Sequence, residues 1–220
     1  MIDLRLGRWQ DALSGVEVDA VICDPPYGGR THEGARSVGA AAEGITYARW
    51  SPAEVAEFVS SWAPRTKRWI VALTSHDLIP AYEAAYQAAG WLSFAPVACV
   101  LSGMGVRIQG DGPASWTVYA MVARPRTKAA AAWRSLPGAY WGPTGAGGDG
   151  RNKPAWLDHA LVRDYSDAGD LVADPCAGHG GILTAAAGLD RRAIGAEVLP
   201  EVHAVAARRL GRGQQRDLFA

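Results

Sequence analysis

Two apolar runs that each end in Asp-Pro constrain this chain more than any other feature. Val18–Cys23 leads into Asp24-Pro25-Pro26-Tyr27-Gly28, and Leu171-Val172-Ala173 leads into Asp174-Pro175-Cys176-Ala177-Gly178-His179-Gly180-Gly181. Nearly unbroken apolar stretches of this kind suit strands covered on both faces, the situation of a parallel sheet between helices. Helical signals stand between them. Ser51-Pro52-Ala53-Glu54 is a capped start running to about Trp62, and residues 77–89 form a helical stretch stopped by Gly90. Residues 154–165, 181–187 and 200–210 read as further helices, the last with Arg208 and Arg209 near its negative end. Residues 68–74, 91–101, 116–123 and 193–196 read as strands, while 28–44 and 136–152 are Gly-rich segments without regular structure. The alternation predicts an α/β fold: a Rossmann-like, doubly wound, mostly parallel sheet with helices on both faces.

Composition narrows the function classes. A chain of 220 residues is long enough for one substantial domain. With 22 basic and 22 acidic residues it has no global charge that announces a polyanion or a membrane surface. The zero is an average. Residues 1–24 and 166–200 each carry two basic and five acidic side chains, whereas 101–165 carry eight basic and four acidic. Residues 201–220 carry four basic and two acidic. No apolar run approaches the roughly 20 residues of a membrane helix, and Met1-Ile2-Asp3-Leu4-Arg5 lacks a signal peptide's apolar block. A cytoplasmic location is expected. Cys23, Cys99 and Cys176 suggest no disulfide framework, and the five histidines show no ligand spacing, so no structural metal is expected.

Chemistry enters at the two turns. A strand ending in Asp24, two prolines and Tyr27 sets a carboxylate and a ring rigidly at the sheet's carboxyl edge, where open α/β sheets bind ligands. Pro25 and Pro26 lack N–H donors, which leaves the Pro25 carbonyl as an acceptor beside Asp24. An exocyclic amine on a flat heterocycle is the complementary guest, its N–H groups on the two acceptors and its ring against Tyr27. At the second turn, glycines permit close backbone approach, and the acid selects an amine or hydroxyl over a pyrophosphate. Glu197 ends the next strand, 23 residues after Asp174, where a carboxylate accepts hydrogen bonds from a ribose. A ribose-bearing cofactor with a charged amino-acid tail satisfies both turns.

These residues resemble a known family: the S-adenosylmethionine-dependent DNA amino-methyltransferases, with D-P-P-Y at 24–27 and D-P-C-A-G-H-G at 174–180. Their order, catalytic motif first and cofactor motif last, is similar to the circularly permuted beta group. Lys153-Pro154 looks like the K-P that marks that group's cofactor-binding helix. The resemblance implies a methyltransferase domain over 1–211, with a short target-recognition insert at about 125–152 and a tail over 212–220. It implies that Asp24, Pro25, Pro26 and Tyr27 form the catalytic site, holding an amino group and stacking on a flipped base. Asp174, Pro175, Cys176, Gly178, Gly180, Glu197, Lys153 and Pro154 would bind S-adenosylmethionine. Within the family D-P-P-Y favours adenine N6 in double-stranded DNA. Cytosine N4, RNA, or an inactive accessory subunit of the same fold stand as alternatives, as do monomer and homodimer.

The chain departs from the family in three places. Gly7-Arg8 stands where Gly-Asp is common, Cys176 where phenylalanine is common, and little sequence is left to read a target. Arg107, Gln109, Arg124, Arg126 and Lys128 are candidate phosphate or base contacts, and Trp50 and Trp141 candidate base contacts, whereas Trp69, Trp91 and Trp116 are expected in the core. After a charged glycine linker, Gln215-Arg216-Asp217-Leu218-Phe219 resembles the peptide with which bacterial proteins dock on the replication sliding clamp. Gln215, Asp217, Leu218 and Phe219 are the candidate contacts.

Overall fold

A computed structural model describes residues 1–28, 49–103, 116–126, 135–144 and 153–217, with side chains to 211. The chain opens with strand β1 (Ile2–Leu6), the single turn α1 (Trp9–Ala12) and β2 (Val18–Cys23). Helix α2 (Pro52–Trp62) starts where Ser51 N–H donates to Glu54 Oε2 at 2.6 Å and Pro52 fills the first helical position. β3 (Thr66–Thr74), α3 (Ile79–Ala88), β4 (Leu92–Ser93), β5 (Val97–Ser102), β6 (Thr117–Arg124) and β7 (Ala139–Pro143) follow. The last third is α4 (Ala155–Tyr165), β8 (Leu171–Asp174), α5 (Gly181–Gly188), β9 (Arg192–Glu197) and α6 (Pro200–Asp217).

The strands form one sheet in the order β1-β9-β8-β2-β3-β6-β5-β7, with β4 also on β6. From β1 to β3 every pairing is parallel, and β6 runs antiparallel to β3, β4 and β5. Period-two alternation sends Ala20 and Ile22 into one apolar layer and Val21 and Cys23 into the other, and a register shift between Val18 and Ala20 turns Val18 into the second layer as well. The first layer meets Leu157 and Leu161 of α4 and Ile182 and Leu183 of α5. The second meets Trp9 and Leu13 around α1, Phe58 and Trp62 of α2, and Tyr82 and Tyr86 of α3. This is the doubly wound, mostly parallel sheet expected, with an antiparallel segment around β6.

Four local expectations are corrected. The strand expected over 91–101 is two strands, because Ser93 pairs with Ala123 while Val97 pairs with Ala120. Four steps on one side against three on the other leave an extra residue, as in a bulge, and Pro96 there has no N–H to donate. The segment 136–152 contains β7, which pairs in parallel with β5. Its Gly142 is forced by packing, since a Cβ there would lie 2.4 Å from the Trp156 ring. Trp69 and Trp91 are buried as expected, but Trp116, just ahead of β6, is 39% exposed. The final helix continues through Gly211 and Gly213 to Asp217 instead of giving way to a linker. Leu218 and Phe219 lie outside the described residues, as do Arg107, Gln109 and Lys128.

A candidate active site at the sheet's switch point

From β8 the chain crosses by α5 to β9 on one side, and from β2 it crosses by α2 to β3 on the other. The crevice between β8 and β2 is therefore the switch point of the sheet, the place where such folds take ligands. Ala20 and Val21 pair with Val172 and Ala173, so the residues that follow, Asp24 and Asp174, stand on either side of that crevice. Glu197 ends β9, the next strand over.

The turn after β2 is held from several directions. The Gly28 amide donates to Ser75 Oγ at 3.3 Å, and the Trp50 amide donates to the Tyr27 carbonyl at 3.3 Å. Ser75 in turn hydrogen-bonds Asp77, whose carboxylate lies 2.2 Å from where a Cβ on Gly28 would stand. Pro25 is buried and Asp24, Pro26 and Tyr27 are half-buried. Tyr27 O–H donates to Asp24 Oδ1 at 2.8 Å, and Lys153 Nζ donates to Asp24 Oδ2 at 2.7 Å. The same ammonium lies 4.7 Å from the Tyr27 ring centroid, within cation–π range. Burial, the Asp24 charge and the hydrogen bond to Asp24 hold the Tyr27 hydroxyl in its neutral form, well above the usual phenol range. Tyr27 is a donor here, not a base.

The turn after β8 is built on backbone that a side chain would strain. Gly178 and Gly180 have φ of +50° and +77°, and Gly180 caps α5. Glu197 Oε2 accepts the Gly178 amide at 2.9 Å and Oε1 accepts the Leu199 amide at 2.9 Å. Asp174 is 2% exposed and accepts the Cys176 amide at 3.2 Å. Burial chiefly, then the charges of Asp158, Asp24 and Glu197, push its carboxyl well above the ordinary range. Burial, then Asp174 and Glu197, likewise push the Cys176 thiol up. Pro175 is buried beneath this turn, and Pro154 is the N-cap of α4.

The structure thus gathers every candidate site residue around one crevice, but it seats Lys153 on Asp24 and not at the second turn. Sequence reasoning missed Asp158. It lies in the first turn of α4, 8% exposed, between Leu157 and the apolar stripe of Leu161 and Val162. An acid within that stripe was the available signal. Burial and the Asp24 charge, opposed by Lys153 and Arg209, raise its carboxyl to about 7. Four carboxylates, Asp24, Asp158, Asp174 and Glu197, therefore act on one another across one crevice, with Lys153 paired to Asp24. Such a donor set fits a cationic guest that also brings N–H and O–H donors. Of the two tryptophans considered as base contacts, Trp50 packs on Phe58 at 5.3 Å, and Trp141 on β7 is 73% exposed.

Fold and site together define a doubly wound, mostly parallel α/β protein with an acidic crevice at its switch point. Comparison with known proteins agrees with that class. A family model described as DNA methylase matches residues 140–208. A crystal structure of the M1.HpyAVI–SAM complex superposes with a TM-score of 0.72 at 19% identity, covering 96% of this chain and 99% of that one. TTHA0409 of Thermus thermophilus, complexed with S-adenosyl-L-methionine, gives 0.64 at 20% identity, covering 97% and 96%. PvuII DNA methyltransferase, cytosine-N4-specific, gives 0.68 at 15% identity, covering 94% and 86%. No curated protein sequence matches the chain. The resemblance carried by the two Asp-Pro motifs thus holds as a shared fold along nearly the whole chain, and as a family match over 140–208.

Proposed function

We propose that this protein transfers a methyl group from S-adenosylmethionine to an exocyclic amino group of a base in DNA, adenine N6 being the preferred target. The observation that carries this reading is Asp24. It stands at the carboxyl end of β2 beside the Pro25 carbonyl and the Tyr27 ring, across the crevice from Asp174 and Glu197. Asp24 and the Pro25 carbonyl accept the two amine N–H groups, which turns the nitrogen lone pair out of conjugation with the ring. Tyr27 stacks on the base, and a base inside a duplex reaches it only by leaving the helical stack.

On the other side, Glu197 would take the ribose hydroxyls, while Asp174 and the backbone of Gly178 and Gly180 would hold the amino-acid end, with Pro175 and Cys176 as the wall. S-adenosylmethionine, when bound, supplies an already activated methyl group. The protein's part is alignment and charge compensation. As the N–CH3 bond forms and the S–CH3 bond breaks, positive charge arrives on the amine beside the Asp24 carboxylate, which is placed to take the released proton. The free thiols of Cys23 and Cys99, both buried, suit the cytoplasmic location expected for such an enzyme.

Cytosine N4 is the second reading, and the full-length likeness to PvuII DNA methyltransferase speaks for it as directly as the D-P-P-Y form speaks for adenine. Nucleoside digestion and mass spectrometry of DNA treated with the protein and S-adenosylmethionine distinguishes N6-methyladenine from N4-methylcytosine. Asp24→Ala should lose methyl transfer by at least about a thousandfold while retaining cofactor affinity. Transfer at the native rate by that variant would refute the mechanism.

A further inference from the structure

Lys153 stands where an incoming amine has to go. Its Nζ is 2.7 Å from Asp24 Oδ2 and 4.7 Å from the centre of the Tyr27 ring, while Asp24 Oδ1 is engaged by the Tyr27 hydroxyl at 2.8 Å. The pair is sheltered, with side-chain exposures of 15% for Lys153 and 29% for Asp24. A flat base that donates an N–H to Asp24 and lies on Tyr27 competes with the ammonium for both partners at once. Leaving Lys153 in place also opposes the reaction, because methyl transfer puts positive charge on a nitrogen beside the same carboxylate.

A second seat is present. Asp158 is five residues along from Lys153, in the first turn of the helix that Lys153 precedes. It is 8% exposed, and its carboxylate has no hydrogen bond or ion pair among the described residues. Its Oδ2 lies 2.1 Å from where a Cβ on Gly181 would stand, so the missing side chain at Gly181 is what makes room for the carboxylate. A carboxylate this deeply buried is costly to ionise, and a cation arriving there offsets that cost. Lys153 and Asp24 are also two of the groups whose charges act on Asp158, from opposite directions.

We propose that Lys153 is a displaceable occupant of the target-amine subsite: it rests on Asp24 until a base enters, then passes to Asp158. The inference rests on the proposed methyltransferase reading and adds a gate to it. Lys153 keeps Asp24 paired between turnovers, and its transfer to Asp158 clears positive charge from the reacting nitrogen. Without Asp158, the lysine loses that seat and stays in competition with the base for Asp24.

Steady-state transfer of labelled methyl from S-adenosylmethionine to unmethylated DNA tests this with the full chain, alongside calorimetric binding of S-adenosylhomocysteine. Lys153→Met should lower KM for DNA on the order of tenfold and leave cofactor-product affinity within about twofold. Lys153→Arg should raise KM, because a guanidinium grips a carboxylate with two donors. Asp158→Asn should raise KM severalfold in the native background and change nothing in the Lys153→Met background. A phosphate or cofactor contact predicts the reverse: Lys153→Met raises KM, and Lys153→Arg restores it. Either that pattern, or equal effects of Asp158→Asn in both backgrounds, overturns the exchange while leaving the enzyme reading intact. A native chain that methylates no DNA overturns the enzyme reading, and the exchange falls with it.

Discussion

The Gly178 amide donates to Glu197 Oε2 at 2.9 Å, which ties the glycine turn after β8 to the end of β9. The other oxygen holds the Leu199 amide at 2.9 Å, so one carboxylate sets both the turn and the start of α6. Glu197 is 5% exposed, and removing it leaves two sheltered N–H groups unpaired, each worth about 1–3 kcal/mol.

Glu197→Ala should therefore lose stability by roughly 2–4 kcal/mol and weaken S-adenosylhomocysteine binding by well over tenfold. Asp24→Asn should leave that binding nearly unchanged. Urea denaturation and calorimetry on the same samples provide the check. Equal affinity in Glu197→Ala and the native chain would remove Glu197 from the cofactor side of the crevice.

Tyr27 makes a narrower prediction. Its hydroxyl donates to Asp24 Oδ1 at 2.8 Å, and its ring is the surface on which the proposed function stacks the base. Tyr27→Phe keeps the ring and frees one carboxylate oxygen, so kcat should fall by about tenfold, in line with one hydrogen bond to a charged group. Tyr27→Ala should fall much further and raise KM as well. If phenylalanine and alanine behaved alike, the ring would have no part in holding the base.

Much of this site was legible because its carboxylates sit where apolar runs stop. Val18–Cys23 and Leu171–Asp174 are buried strands, and a buried strand announces both itself and its end. Strand β7 announced nothing. Its burial alternates, with Tyr140 and Gly142 inward and Trp141 outward, yet the inward glycine and outward tryptophan invert the usual hydrophobic pattern. Gly142 is there because Trp156 occupies the space of its side chain, a constraint set by a helix 14 residues away in sequence. The partner of Lys153 was hidden for the same reason: 129 residues separate it from Asp24, and the K-P resemblance pointed to the other turn. Only the folded sheet brings the start of α4 over the end of β2.

Gly195 offers a packing prediction independent of catalysis. A Cβ there would meet Leu183 Cδ1 at 2.9 Å, Ala177 Cβ at 3.1 Å and the Asp174 carbonyl oxygen at 3.1 Å. Two of these neighbours belong to β8 and the turn that follows it. Gly195→Ala should destabilise the chain by about 1–3 kcal/mol and weaken S-adenosylhomocysteine, because the turn must shift to admit the methyl group. A melting temperature and affinity equal to those of the native chain would show that this corner yields freely.

Asp158 makes stability depend on pH with a definite sign. Its carboxyl is raised from the ordinary value of 3.8 to about 7, burial being the first cause and Asp24 the second. Below about pH 4 the group is protonated folded and unfolded, and burial carries no charge penalty. Between about 4 and 7 the unfolded chain releases the proton first, so stability falls as pH rises, and above 7 the full penalty is present. Asp158→Asn removes the titration while keeping the shape. The variant and the native chain should match near pH 4, and the variant should be more stable above pH 7, by a few kcal/mol at most. Because Lys153 holds the Asp158 carboxyl down, Lys153→Met should widen that gap and move the native transition to higher pH. Urea denaturation from pH 4 to 9 reads all three curves. Parallel curves throughout would mean that Asp158 ionises like a surface carboxylate.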